Sequence, residues 1–235
     1  MKRKLTLLLS KIYRTISSPS TFLDAKDISL GRQLRAREST VRYINDNMSE
    51  VQSVRSKWAV HDIGLGKCLA EGEFLEFGVF TGETINYIAS KVPKSKVVSG
   101  FDSFEGLPEL WRDGFEEGAF KLKSLPKVRS NVTLYKGWFE EGISNYLANN
   151  SIEYISYLHI DCDLYSSTKT IFEKLGKYIK TGSIIVFDEY FNFPGWEGDE
   201  FKAFQEFINE TGLMYEYLTY NSRHEQVAIK IIGNE

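Results

Sequence analysis

Tyr157-Leu158-His159-Ile160-Asp161-Cys162-Asp163 is an apolar run that closes on two carboxylates, and the same design recurs elsewhere in the chain. Ser183-Ile184-Ile185-Val186-Phe187 runs into Asp188-Glu189, and Phe74-Leu75-Glu76-Phe77-Gly78 carries an acid just before its glycine. Short apolar runs of this kind, bounded by turn residues, predict buried strands. In an open α/β sheet, ligands bind outside the carboxyl ends of the strands. Packing does not account for acids at three such ends; a binding site does.

Working outward, helical and strand-like segments alternate. Strands are predicted at 74–79, 97–101, 132–135, 155–160 and 184–187, with helices at 84–91, 139–148, 167–179 and 200–210. This order predicts a doubly wound, Rossmann-like α/β sheet joined by right-handed crossovers. Residues 214–220 and 226–232 alternate as strands and are joined through Asn221-Ser222-Arg223, a predicted antiparallel hairpin. Residues 32–66 read as one helical stretch. The expected division is a helical extension over 1–66, serving as lid or oligomer contact, and an α/β domain over 67–235.

Composition narrows the function. The net charge of −3 gives no electrostatic case for nucleic acid. Cys68 and Cys162 form neither a disulfide framework nor a metal-type spacing, which points to a reduced cytoplasmic setting. In the first 16 residues, Leu5, Leu8, Leu9, Ile12 and Ile16 recur at helical spacing among lysines and arginines. The apolar core is too short for a secretion signal or a membrane span. Packing of this stripe on the domain or on a second copy in a homo-oligomer is preferred over contact with a membrane surface.

Two motifs point to a nucleoside ligand. Leu75-Glu76-Phe77-Gly78-Val79-Phe80-Thr81-Gly82 sits at a strand-to-helix turn, where Gly78 and Gly82 let backbone approach a ligand. It lacks the G-x-G-x-x-G fingerprint of nicotinamide enzymes, and Glu76 suits a cationic ligand such as S-adenosylmethionine rather than a diphosphate. Asp102, 26 residues after Glu76, ends the next strand, where an acid accepts from ribose hydroxyls. Trp138 and Phe139 either flank an adenine or fill the core.

Asp161 and Asp188 lie 27 residues apart, one strand–helix–strand unit, so their strand tips adjoin if the strands are neighbours. Unpaired carboxylates ~5 Å apart repel by about 3 kcal/mol at an effective dielectric of ~20. An oxygen-only donor set suits Mg²⁺. A metal beside a methyl donor lowers the pKa of an acceptor hydroxyl, and a nearby carboxylate takes its proton. Asp163 is placed for that role.

Taken in order, E-F-G-V-F-T-G-E-T, F-D-S-F-E-G-L-P, K-G-W-F-E-E, H-I-D-C-D-L-Y-S-S-T and I-V-F-D-E-Y resemble the macrocin O-methyltransferase-like (TylF/MycF-like) family over about Glu73 to Glu210. The resemblance implies the class I methyltransferase fold, in which the sheet ends in an antiparallel hairpin. It also implies Mg²⁺-dependent O-methylation of a sugar or glycosylated metabolite. It places metal ligands at Asp161, Asp188 and Glu189, the base at Asp163, and the S-adenosylmethionine site at Glu76, Gly78, Thr81, Gly82, Asp102 and Ser103. Glu189 departs from the pattern, since the family often has aspartate there.

The acceptor side is less determined. Residues 103–130 are long enough for a lid and carry Trp111, Phe115 and Phe120. Tyr190 to Trp196 is a second aromatic segment, suited either to stacking on a sugar or to anchoring a loop. His159 reads as a core residue, His61 as a distant candidate for the site, and His224 as a solvated turn residue. A catechol-like acceptor and a catalytically silent adenosyl-binding protein are the competing readings.

Overall fold

The computed structural model describes residues 26–69 and 71–234; the amphipathic stripe at 1–16 lies outside them. The elements in chain order are α1 (Ile28–Asn47), β1 (Ser53–Val54), α2 (Lys57–Leu65), β2 (Glu73–Phe77), α3 (Glu83–Lys91), β3 (Val98–Asp102) and β4 (Val132–Lys136). They continue with α4 (Phe139–Asn149), β5 (Ile155–Ile160), α5 (Tyr165–Leu175), β6 (Ile184–Phe187), α6 (Glu200–Thr211), β7 (Leu213–Asn221) and β8 (Val227–Asn234).

The strands form one eight-stranded sheet in the order β1-β7-β8-β6-β5-β2-β3-β4. Only β8 runs antiparallel to its neighbours, pairing with β6 and β7. This is the Rossmann-like sheet of class I methyltransferases, with the hairpin that the alternation at 214–232 predicts. From β2 the chain moves outward through β3 to β4, then returns to β5 on the other side of β2. The strand order therefore reverses between β2 and β5, which opens a crevice at their carboxyl ends.

Period-two alternation gives the sheet two apolar faces. Phe74, Tyr157, Ile184, Val186 and Ala228 pack beneath Val60 of α2 and Ile85 and Ile88 of α3. Leu75, Phe77, Leu158, Ile160, Ile185 and Phe187 face Ile143 of α4, Ile171 and Phe172 of α5, and Phe204 and Phe207 of α6. Every strand from β2 to β6 except the edge strand β4 is nearly continuous in burial, which is why these strands read as unbroken apolar runs.

The single helical stretch expected over 32–66 is two helices with a strand between them. Met48 is buried, Ser53 and Val54 pair in parallel with Tyr220 and Asn221 of β7, and the Ser56 hydroxyl caps α2 by accepting from Trp58 N at 3.2 Å. β1 and α2, assigned from sequence to the helical extension, are thus built into the sheet unit. Gly64 of α2 lies so close to the sheet that a Cβ there would meet Ile184, Tyr157 and Val186, each at 3.3 Å. Among the described residues, no helix is long and apolar enough to cross a membrane.

The crevice has one strict requirement. A Cβ on Gly78, whose φ is +90°, would lie 1.6 Å from the Asp161 carbonyl oxygen. Only glycine lets the β2 tip pass the β5 tip. Gly78→Ala is expected to lose at least about 3 kcal/mol or fail to fold, whereas Gly195→Ala, at a φ of +96° with nothing within 4 Å, costs about 1–2 kcal/mol. Urea denaturation of the two variants checks the contrast; equal midpoints would refute it.

Candidate active site

β5 and β6 are parallel neighbours with Ile160 opposite Phe187, so the residues that follow emerge side by side. Asp161 N donates to Phe77 O at 2.8 Å and Asp188 N to Ile160 O at 2.9 Å, extending the ladder across all three tips. The four acids then divide. Asp161, Asp163 and Glu189 bring carboxylate oxygens within 4.8 Å of one another. Asp188 shares its face with Ile184 and Val186 and turns toward α2. Its Oδ2 accepts from Gln226 Nε2 at 2.9 Å, and its Oδ1 lies 3.9 Å from His159 Nε2.

Burial pushes the Asp161 and Glu189 carboxyls well above the usual range, and the charge of Asp188 adds to the effect. Burial also raises Asp163 to about 7, against the pull of the Arg112 guanidinium. For Asp188 burial acts in the same direction, but His159 and Gln226 outweigh it and hold the group below its ordinary value. Glu189 Oε2 is buried with no hydrogen-bond partner among the described residues. Asp163 adopts a φ of +67°, a left-handed backbone that an L residue keeps only where its surroundings impose it.

Those surroundings include Glu200, the first residue of α6, which is fully buried. Its Oε1 accepts from Cys162 N at 3.3 Å and Asp163 N at 3.2 Å, and its Oε2 from Glu189 N at 3.3 Å. One carboxylate thus holds the loops after β5 and β6 together. Sequence reasoning missed it, because a glutamate in the first turn of a helix is ordinary surface chemistry.

Beside the three acids opens a cavity of about 660 Å³. Gly78, Asp102, Ser103, Trp138 and Phe139 line it, together with Asp161, Asp163 and Glu189. Asp102 also organises the turn after β2, since its Oδ2 accepts from Val79 N at 2.9 Å and Phe80 N at 2.8 Å while its Oδ1 accepts from Phe104 N at 2.6 Å. Three residues expected at the donor site stand back from the cavity. Glu76 is fully buried behind it, with Oε2 3.1 Å from His159 Nδ1. Thr81 is exposed beyond the turn, and Gly82, at a φ of +80°, begins α3.

The segment 103–130 roofs the cavity with Trp111, Phe115 and Phe120. Arg112, overlooked in the sequence, fixes the roof. Its guanidinium stacks 3.8 Å from the Trp111 ring centroid and pairs with Glu225 at 3.2 Å, next to the β7–β8 turn. His224, exposed as expected, also borders the cavity. By contrast, Tyr190, Phe191, Phe193 and Trp196 are buried in the core, so the segment after the acid pair acts as an anchor. It carries α1: Asn192 N donates to Thr40 Oγ1 at 2.9 Å and Trp196 Nε1 to Ser39 Oγ at 2.9 Å.

Removing the Glu200 carboxylate leaves three buried amides without their acceptor. Glu200→Ala is expected to lower stability by roughly 2–4 kcal/mol, and Glu200→Gln, which keeps one acceptor oxygen, by less. An unchanged urea midpoint in Glu200→Ala would show that the two loops hold their arrangement without it.

Comparison with known proteins agrees with this architecture. A family profile described as a methyltransferase domain matches residues 75–190, just under half of the chain. No curated protein matches the chain. Among solved structures, CalS11, described as a TDP-rhamnose 3'-O-methyltransferase of calicheamicin biosynthesis, superposes with a TM-score of 0.54 at 22% identity, covering 74% of this chain and 78% of that one. A second CalS11 structure gives a TM-score of 0.55 at 21% identity and covers 97% of this chain and 90% of that one. The O-methyltransferase NovP gives 0.54 at 18% identity, covering 74% and 80%. At these identities the structural likeness speaks for the fold, and the family match for the activity. The crevice between β2 and β5, with Gly78 at its narrowest point, lies inside a methyltransferase domain, and the chain is an S-adenosylmethionine-dependent methyltransferase of class I fold.

Proposed function

We propose that this methyltransferase acts on a hydroxyl of a sugar or glycosylated metabolite, with Mg²⁺ as its metal, in the manner of the macrocin O-methyltransferase-like group. The observation that carries this reading is the placement of Asp161, Asp163 and Glu189 within 4.8 Å of one another on the wall of a cavity that Gly78, Asp102 and Trp138 also line. CalS11 is described as acting on TDP-rhamnose, which supports a sugar as the acceptor class.

The donor set fits a hard cation. All three groups offer oxygen, Glu189 Oε2 has no other partner among the described residues, and burial leaves these acids short of compensating charge. In this reading Asp161 and Glu189 would hold Mg²⁺, which would supply positive charge that makes an acceptor hydroxyl more acidic. Asp188, grouped with them on sequence, faces the histidines instead. Asp163 takes the hydroxyl proton as the acceptor oxygen forms its bond to the methyl carbon. The carbon–sulfur bond breaks, its electron pair stays on sulfur, and the donor leaves as a neutral thioether. Asp102 and Ser103 hold the donor's ribose edge, and Trp138 and Phe139 flank the adenine. The aromatic roof excludes water while charge is neutralised.

A homo-oligomer belongs to the same reading: Leu30, Leu34 and Val41 lie on one face of α1 and are exposed among the described residues. A catechol-like acceptor is the second reading, favoured by the flat aromatic surfaces of Trp111, Phe115 and Phe120 in the roof. Methyl transfer from labelled donor to panels of glycosides and catechols separates the two.

Asp163→Asn is expected to lower kcat at least 10²-fold while leaving the affinity for S-adenosylhomocysteine within about twofold of the parent. Chelation of divalent cations is expected to abolish turnover, with Mg²⁺ restoring it. Full activity in EDTA would remove the metal from the reaction, and unchanged kcat in Asp163→Asn would remove that residue.

A further inference from the structure

Behind the acid wall lies a second cluster that methyl transfer does not use. His61 of α2, His159 of β5 and Asp188 after β6 bring one ligand atom each within 4.8 Å of the others, and all three residues are buried. We propose that these residues bind a first-row transition-metal dication, with zinc the best match, in a buried three-ligand site separate from the carboxylates that face the cavity.

The pattern of used and unused atoms carries the argument. Each side chain has one polar atom engaged. His61 Nδ1 lies 2.7 Å from Tyr157 Oη, His159 Nδ1 lies 3.1 Å from Glu76 Oε2, and Asp188 Oδ2 accepts from Gln226 Nε2. The other atom of each, His61 Nε2, His159 Nε2 and Asp188 Oδ1, is buried and has no hydrogen-bond partner among the described residues. An orphaned buried polar atom costs about 1–3 kcal/mol, and three orphans aimed at one another mark a place for something that binds all three. Metal-ligating histidines characteristically hand their second ring nitrogen to a carboxylate or other acceptor, which fixes the tautomer. Glu76 and Tyr157 occupy that position here.

Donor chemistry and charge select the ion. Two imidazole nitrogens and one carboxylate oxygen suit zinc and its neighbours, whereas Mg²⁺ takes oxygen. Glu76 and Asp188 place two carboxylates in this buried region with neither making a lysine or arginine ion pair among the described residues. A dication bound to both imidazoles would take the place of the proton that a charged His159 holds between these two acids. His159 Nε2 and Asp188 Oδ1 are 3.9 Å apart. Tetrahedral zinc ligands sit about 3.4 Å apart, about half an ångström closer than this pair, and the two separations to the His61 ligand atom lie within 4.8 Å. The cluster joins α2 to the ends of β5 and β6, so the ion would clasp a helix to the strand tips that carry the acids.

The test uses the full, untagged chain. After expression with added zinc and extensive dialysis, elemental analysis is expected to find about one zinc per chain. Adding Co²⁺ to the metal-stripped protein is expected to give visible d–d bands, and adding Zn²⁺ to raise its Tm. His61→Gln and His159→Gln should lose the zinc and the bands, while Asp161→Asn, in the cavity-facing cluster, should keep both. Bands that persist in both histidine variants, or vanish only with Asp161→Asn, would overturn the assignment. Far-UV circular dichroism identifies any variant that has not folded, and the parent protein then decides alone. A parent with neither zinc, d–d bands nor a Tm shift holds no metal at this point, and the proposal fails whatever the methyltransferase assays show.

Discussion

The Glu200 carboxylate is the constraint on which the site rests. Backbone amides from two separate loops converge on it, so the residues after β5 and those after β6 cannot move independently. Parallel pairing of β5 with β6 sets the distance between the tips, and Glu200 sets the direction of the chain once the sheet has ended. The arrangement is electrostatically adverse. A buried acid supports two others, and burial pushes Glu200 itself well above the ordinary carboxylate range. The amides that point at it are what the fold offers against that cost.

Stability and function pull against each other along this edge. The apolar faces of the sheet supply the stabilisation, with Leu75, Phe77, Leu158, Ile160, Ile185 and Phe187 all fully buried. Each such side chain contributes about 1.5–3 kcal/mol. The tips consume part of it through crowded carboxylates, the left-handed Asp163 and the tight passage at Gly78. Stored strain and unmatched charge concentrated beside a cavity are what a preorganised site requires.

The sheet was largely legible in the sequence because buried parallel strands leave continuous apolar runs, and the runs at 74–79, 97–101, 155–160 and 184–187 fall on strands within two residues. The break between α1 and α2 was not, because Met48 to Ser56 contains neither glycine nor proline and β1 is only two residues long. The position of each acid at a strand tip could be read, but not its direction. Asp188 joins the histidines, and Gln226, 38 residues further on, brings an amide to it. No local pattern carries such information. Glu200 and Arg112 were hidden for the same reason, since their partners come from other elements. The aromatic run at 190–196 shows the opposite ambiguity, as one composition serves a ligand platform or a core anchor and only packing distinguishes them.

The roof over the cavity is almost wholly one insertion between β3 and β4, fastened at its far end by the Arg112–Glu225 pair. The acids proposed to take part in the reaction come from the strand tips beneath. Inheritance can therefore act on the two parts separately: drift within the insertion reshapes what is admitted, while the strand-borne acids and the donor crevice stay as they are. A lineage built on this plan diversifies its acceptors by rewriting one stretch of chain.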